Sequence, residues 1–153
     1  MPHTQVLPAL SGAKIHLVGA KGTGMAALAE ILKAQGAILS GSDVADVFYT
    51  DAILASLGVD MRVGFSASNL PDMLDLVIHS AAYAPDRNPE LLEATRRSIP
   101  VMNYPEALGA LSAKYDSSGI AGVHGKTTTT ATARITNCTK SVTVTAQRPP
   151  RNV

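Results

Sequence analysis

The chain alternates short aliphatic runs with segments of helical period, and a glycine or proline stands at most of the junctions. No other feature limits the possible folds as strongly. Lys14–Val18 (KIHLV) is β-branched and aliphatic, and Gly19 breaks it. From Thr23, residues Met25, Leu28, Ala29 and Leu32 recur at helical spacing until Gly36 closes the segment. AILSGSD reads as a second strand, TDAILASLG as a helix stopped by Gly58, and VDMRVG as a short strand. Leu74–Ser80 (LDLVIHS) has the unbroken apolar run of a strand covered on both faces. RNPELLEATRRS reads as a helix capped by Asn88 with Pro89 at its first position. Ile99–Met102 is a brief strand, YPEALGALSAKY another helix, and SGIAGV a last strand.

Strand and helix alternating at this spacing predict right-handed crossovers and an α/β, Rossmann-like, mainly parallel sheet with flanking helices. Ligands of such sheets bind beyond the carboxyl ends of the strands. Gly19–Met25, Ser40–Asp43, His79–Tyr83 and Gly122–Thr128 are therefore candidates for one rim.

Composition narrows the function. A formal charge of +1 gives no electrostatic case for nucleic acid or an anionic membrane surface. No apolar run approaches the roughly 18–20 residues that span a bilayer. MPHTQVLPALSG lacks a basic region followed by an apolar one, so no secretion signal is expected. The single cysteine, Cys138, has no intramolecular disulfide partner, which fits a reducing cytoplasm. No protein partner is predicted.

Two loops carry the chemistry. In VGAKGTGMAALAE, Gly19, Gly22 and Gly24 lie between a strand and a helix, where backbone N–H groups and the positive helix end meet a diphosphate. A dinucleotide fingerprint places glycines at its first, third and sixth positions. Here those are Gly19, Lys21 and Gly24, so the middle glycine is replaced, and a Lys21 ammonium beside the diphosphate would compensate. The other reading is a turn that needs glycine only for packing. Asp43, 19 positions beyond Gly24, either accepts from ribose hydroxyls or satisfies the turn after Gly41 and Ser42. In AGVHGKTTTTA the eight-residue phosphate-loop pattern fails at Ile120, but Gly122-x-x-Gly125-Lys126-Thr127 remains, directly after a strand. There Lys126 would reach the β- and γ-phosphates of a nucleoside triphosphate, Thr127 would ligate Mg²⁺, and the amides of Gly125 to Thr128 would cradle oxygens. His124 shapes that loop, and His16 is a structural histidine within its strand. His79 either meets a sugar or diphosphate or is structural.

With these residues in hand, the chain resembles the amino-terminal part of the muramyl ligases, ATP-dependent amide-forming enzymes of peptidoglycan synthesis. The resemblance runs over roughly residues 12–132 and rests on HLVGAKGTGMAALAEIL, SGSD, VIHSAAYAPDRNPELLEA, IPVMNYPEALG and GIAGVHGKTTTTA in that order. It implies a cytoplasmic ligase with UDP-N-acetylmuramate and L-alanine as substrates and ATP with Mg²⁺ as cofactors. Family members that recycle a whole muramyl tripeptide are the alternative, as is a nicotinamide-binding dehydrogenase domain suggested by the first loop. The resemblance assigns Gly19, Ala20, Lys21, Gly22, Thr23, Gly24, Met25, Ser42, Asp43, His79 and Ser80 to the UDP-sugar. It assigns Gly122, Val123, His124, Gly125, Lys126, Thr127 and Thr128 to ATP, with Thr127 on the metal and Lys126 as the catalytic residue. The implied reaction passes through an acyl phosphate.

Three regions follow. Residues 1–115 are expected to form the UDP-sugar domain, 116–135 the start of an ATP-binding domain, and 136–153 a poorly ordered tail. After Ala131 the amphipathic helix expected next does not continue, since Ile135 is the only large aliphatic residue between Val123 and Val142. The expectation is a truncated chain with a foreign or out-of-frame ending, able to bind substrate without ligating it.

Overall fold

The computed structural model describes residues 7–114. In chain order these form β1 (Lys14–Val18), α1 (Thr23–Ala34), β2 (Ile38–Asp43), α2 (Thr50–Ser56), β3 (Asp60–Val63), β4 (Leu76–His79), α3 (Pro89–Arg96), β5 (Val101–Asn103) and α4 (Tyr104–Ser112). The strands make one sheet in the order β3-β2-β1-β4-β5, every neighbouring pair parallel. This is the Rossmann-like arrangement the alternating pattern predicts.

The central strand explains the layering. Along β1, Ile15 and Leu17 face one side and join Leu28 and Leu32 of α1, Leu54 of α2 and Leu111 of α4 in a single apolar cluster. Val18, with Val77 of β4, faces the other side and packs with Leu91 and Ala94 of α3. Both sheet faces are covered, so Leu76–Ile78 of β4 is apolar without alternation and every residue of β1 after Lys14 is buried. Each fully buried leucine contributes about 1.5–3 kcal/mol relative to exposure, and the aliphatic side chains supply nearly all of this core.

Local signals set the element ends. Gly58 follows α2 at φ +66°, a conformation that residues with a β-carbon adopt only with strain. The Asn88 side chain accepts from the N–H groups of Glu90 and Leu91, and Pro89 opens α3. Asn103 and Glu106 form a reciprocal capping box at the start of α4. Two strands depart from expectation. β4 begins at Leu76, and Asp75 before it is tied twice to Lys14, its N–H donating to the Lys14 carbonyl and its carboxylate accepting the Lys14 N–H. β5 begins at Val101 and runs to Asn103; Pro100, lacking an N–H, contributes only its carbonyl to Val77. An unforeseen 3-10 turn at Ala67–Asn69 lies on the crossover from β3 to β4. No helix among the described residues is long and apolar enough to cross a membrane.

Candidate functional site: a cavity at the carboxyl rim

The strand order reverses at β1, so the chains leaving β1 and β4 diverge there and open a crevice. A cavity of about 280 Å³ occupies it. Lys21, Gly22 and Thr23 border it from the loop after β1, Asp43 and Val44 from the end of β2, and Ser80 and Tyr83 from the loop after β4. A larger cavity of about 390 Å³ lies at the opposite edge, against Ile38, Pro71 and Met73. That edge is where a parallel α/β sheet presents helix C-termini. The carboxyl rim is therefore the better anion site despite its smaller volume.

The loop after β1 is built tightly. Gly19 has φ +78°, and a β-carbon on it would fall 2.5 Å from the Tyr83 ring. The Gly19 and Ala20 N–H groups both donate to the Ser42 carbonyl, at 2.9 and 3.2 Å. Helix α1 then begins at Thr23 after Gly22, which offers no side-chain cap, and has no acidic residue in its first turn. Its orphan N–H groups and positive end thus meet no anion supplied by the helix itself. A β-carbon on Gly22 would come no closer than 3.7 Å to any atom. Gly24 differs: its β-carbon would lie 2.9 Å from the Tyr104 ring, so this glycine serves packing. Ala20 and Met25 are buried in the core.

Lys21 and Asp43 organise the rim. The Asp43 carboxylate accepts the Lys21 N–H at 2.7 Å on one oxygen. The other oxygen accepts the Val44 N–H at 2.8 Å and the Tyr83 hydroxyl at 3.3 Å. Both carboxylate oxygens are thus engaged by the loops that border the cavity. Burial, with the Asp43 charge and hydrogen bond added, pushes the Tyr83 phenol up from its ordinary value. The Lys21 ammonium does not point at the cavity as a free cation. It donates to the carbonyls of Val44 and Asp46 at 3.0 and 2.7 Å and pairs with Asp51 at 3.2 Å. Asp51 sits below the usual carboxylate range, first because the Phe48 N–H donates to it and then because of Lys21.

Ser42 and His79 stand back from the cavity. Ser42 is fully buried, and its hydroxyl donates to Glu90 at 2.5 Å. His79 is buried at the end of β4 with Nδ1 3.0 Å from the Ser80 carbonyl. His16, read as structural, is completely buried between Ser40 at 2.8 Å and Glu90 at 3.3 Å. Glu90 went unnoticed in the sequence, yet it gathers Ser42 and His16 on one oxygen and the Ser66 N–H and Asn69 amide on the other. Burial pushes its carboxyl up, and the hydrogen bonds from His16, Ser42 and Asn69 more than reverse this, leaving it below the usual range.

The ATP loop, Gly122–Thr128 with Lys126 and Thr127, lies outside the described residues. Among the described residues no group of three or more His, Cys, Asp or Glu is placed to hold a metal ion.

A five-stranded parallel sheet with a glycine turn at its switch point and helices on both faces defines a Rossmann-like α/β domain. The chain belongs to the Mur ligase family, whose catalytic-domain model matches residues 14–116. It is 67% identical over 122 residues to UDP-N-acetylmuramate–L-alanine ligase of Treponema pallidum, covering 80% of this chain and 25% of that protein. It is 49% identical over 120 residues to the ligase of the same name from Borreliella burgdorferi, covering 76% and 26%. Among solved structures, UDP-N-acetylmuramate–alanine ligase from Thermotoga maritima superposes with a TM-score of 0.69 at 35% identity, over 79% of this chain and 28% of that one. The chain thus spans about a quarter of the length of the curated relatives it matches.

Proposed function

We propose that residues 7–114 form the sugar-nucleotide domain of a UDP-N-acetylmuramate–L-alanine ligase. The carrying observation is the uncapped start of α1 at Gly22, bordering the rim cavity at the switch point. A diphosphate placed there would meet the first-turn amides and the positive helix end. The names of the relatives support UDP-N-acetylmuramate as the ligand.

The whole reaction belongs to the longer architecture of those relatives. The muramate carboxylate attacks the γ-phosphorus of ATP, and ADP leaves; the amine of L-alanine then attacks the acyl carbon, phosphate leaves, and the amine gives up a proton. Lys126 and a magnesium on Thr127 would neutralise charge in the first step, with Gly122, Val123, His124, Gly125 and Thr128 completing the loop. This assignment rests on the Gly-Lys-Thr motif and on family membership. The same reading places the chain in the cytoplasm, beside both nucleotides.

The dehydrogenase alternative is set aside. Family membership argues against it, and Lys21 occupies the position where a dinucleotide fingerprint requires glycine, its amide already bonded to Asp43. Thermal-shift measurements on the purified 153-residue chain with UDP-N-acetylmuramate, NADH and ATP test the proposal. Saturation at a hundred times Kd adds about 2.7 kcal/mol, an easily measured rise in Tm. UDP-N-acetylmuramate should produce it and NADH should not; stabilisation by NADH alone would contradict the proposal.

A further inference from the structure

We propose that Lys21 is a positioning residue that clamps the Val44–Asp51 segment onto the loop after β1 and so fixes one wall of the nucleotide cavity without touching the nucleotide. The inference rests on the nucleotide reading above, and it assigns Lys21 a different task from phosphate binding.

Every polar group of Lys21 is committed to one stretch of chain. Its N–H donates to Asp43 at 2.7 Å, and its carbonyl accepts the Thr50 hydroxyl at 2.6 Å. The three ammonium donors are matched by three acceptors, the carbonyls of Val44 and Asp46 and the carboxylate of Asp51. The Phe48 ring lies 5.9 Å from the nitrogen, and only 10% of the side chain is exposed. An ammonium so enclosed has no remaining donor for a phosphate oxygen. Apart from these ties the segment is held by local bonds, from the Val44 N–H to Asp43 and from the Phe48 N–H to Asp51, and by buried Thr50. Val47 is 90% exposed and Tyr49 68%, so their apolar surface does not anchor the loop in the core. Tyr49 adds one further tie, its hydroxyl donating to Thr23 at 2.8 Å. Val44, Phe48 and Tyr49 all border the cavity. Polar ties converging on Lys21 therefore set where that wall stands, and a segment held this way opens easily when its ties are cut.

The test uses the full chain with Lys21→Met, Lys21→Arg and Asp51→Asn, read by amide hydrogen exchange without ligand and by calorimetric titration with UDP-N-acetylmuramate. Lys21→Met should speed exchange across Val44–Asp51 by about tenfold or more while β1 and β4 keep their protection, and should weaken binding by a similar factor. Asp51→Asn removes a negative charge from the rim, so a simple electrostatic effect would tighten binding; the clamp predicts weaker binding and faster exchange. The double variant should be no worse than Lys21→Met, and Lys21→Arg should restore part of both properties. Unchanged exchange in Lys21→Met overturns the proposal. So does a loss of affinity in Lys21→Met with none in Asp51→Asn, the pattern of a direct phosphate contact. If the wild-type chain binds no UDP-N-acetylmuramate, the nucleotide reading fails, and the ligand-free exchange still decides whether the clamp exists.

Discussion

The Tyr104 ring occupies the space that a β-carbon on Gly24 would need: an ideal β-carbon there falls 2.9 Å from Cζ and 3.0 Å from the hydroxyl oxygen. One residue of the glycine loop is thereby fixed by the first residue of α4, eighty positions later in the chain.

Gly24→Ala is accordingly expected to destabilise the protein in the absence of any ligand. Overpacking costs about 1–3 kcal/mol, and replacing a helical glycine returns only about 0.5–1 kcal/mol. Thermal denaturation should show a lowered Tm that Tyr104→Leu in the same chain partly restores. A Gly24→Ala protein as stable as wild type would mean that Tyr104 does not hold this position. The result also disqualifies bulky Gly24 variants as clean probes of phosphate binding.

Asp43 is expected to matter for stability before it matters for ligand. Asp43→Ala leaves the N–H groups of Lys21 and Val44 and the Tyr83 hydroxyl without their acceptor. The loss should be about 1–3 kcal/mol, whereas Tyr83→Phe, which removes one long hydrogen bond, should cost less than Asp43→Ala. Urea denaturation orders the two, and the reverse order would contradict the assigned role.

The buried carboxylate of Glu90 gives the chain an acid-sensitive core. Glu90→Gln places an amide donor among groups that already donate, at a cost of about 1–3 kcal/mol for each group left unsatisfied. The pH dependence follows from the direction of its shift. The folded value lies below the usual 4.5, so the unfolded chain takes up the proton first as pH falls. The contribution of Glu90 is complete above about 4.5 and drains away as pH drops through the lower folded value. Partly buried Glu93, held down to about 2 by hydrogen bonds from Arg96 and Arg97, acts in the same direction and remains in the variant. Denaturation at pH 7, 5, 4 and 3 should therefore show Glu90→Gln losing less stability with acid than wild type, from a lower start. Parallel curves would remove Glu90 from the account.

The architecture was legible in the sequence because each element carries its own signal. The apolar runs of β1 and β4 mark covered strands, Asn88 and Pro89 mark the start of α3, and Gly58 marks the end of α2. The carboxyl rim was legible for the same reason, since it is a consequence of parallel order. What sequence reading missed depends on partners distant in the chain. Glu90 looks like an ordinary acidic residue in a helix first turn; its burial is set by His16, Ser42 and Asn69, brought together only by the sheet and the crossover. The acceptors of the Lys21 ammonium likewise lie 23 to 30 residues onward, beyond the reach of a local sequence signal. Gly19 and Gly24 look alike, yet one is closed by Tyr83 and the other by Tyr104.

The most direct test places an anion of the protein's own where the diphosphate is proposed to sit. Gly22 has ordinary dihedrals, φ −58° and ψ 140°, with room for a side chain, so Gly22→Asp can cap α1. Calorimetric titration with UDP-N-acetylmuramate, beside thermal denaturation of the free proteins, reads both consequences. The account predicts that Gly22→Asp gains a few tenths to about 1 kcal/mol of stability. It also predicts a loss of at least about tenfold in affinity, or about 1.4 kcal/mol. A Gly22→Asp chain that is equally or more stable and still binds UDP-N-acetylmuramate as wild type does would contradict it.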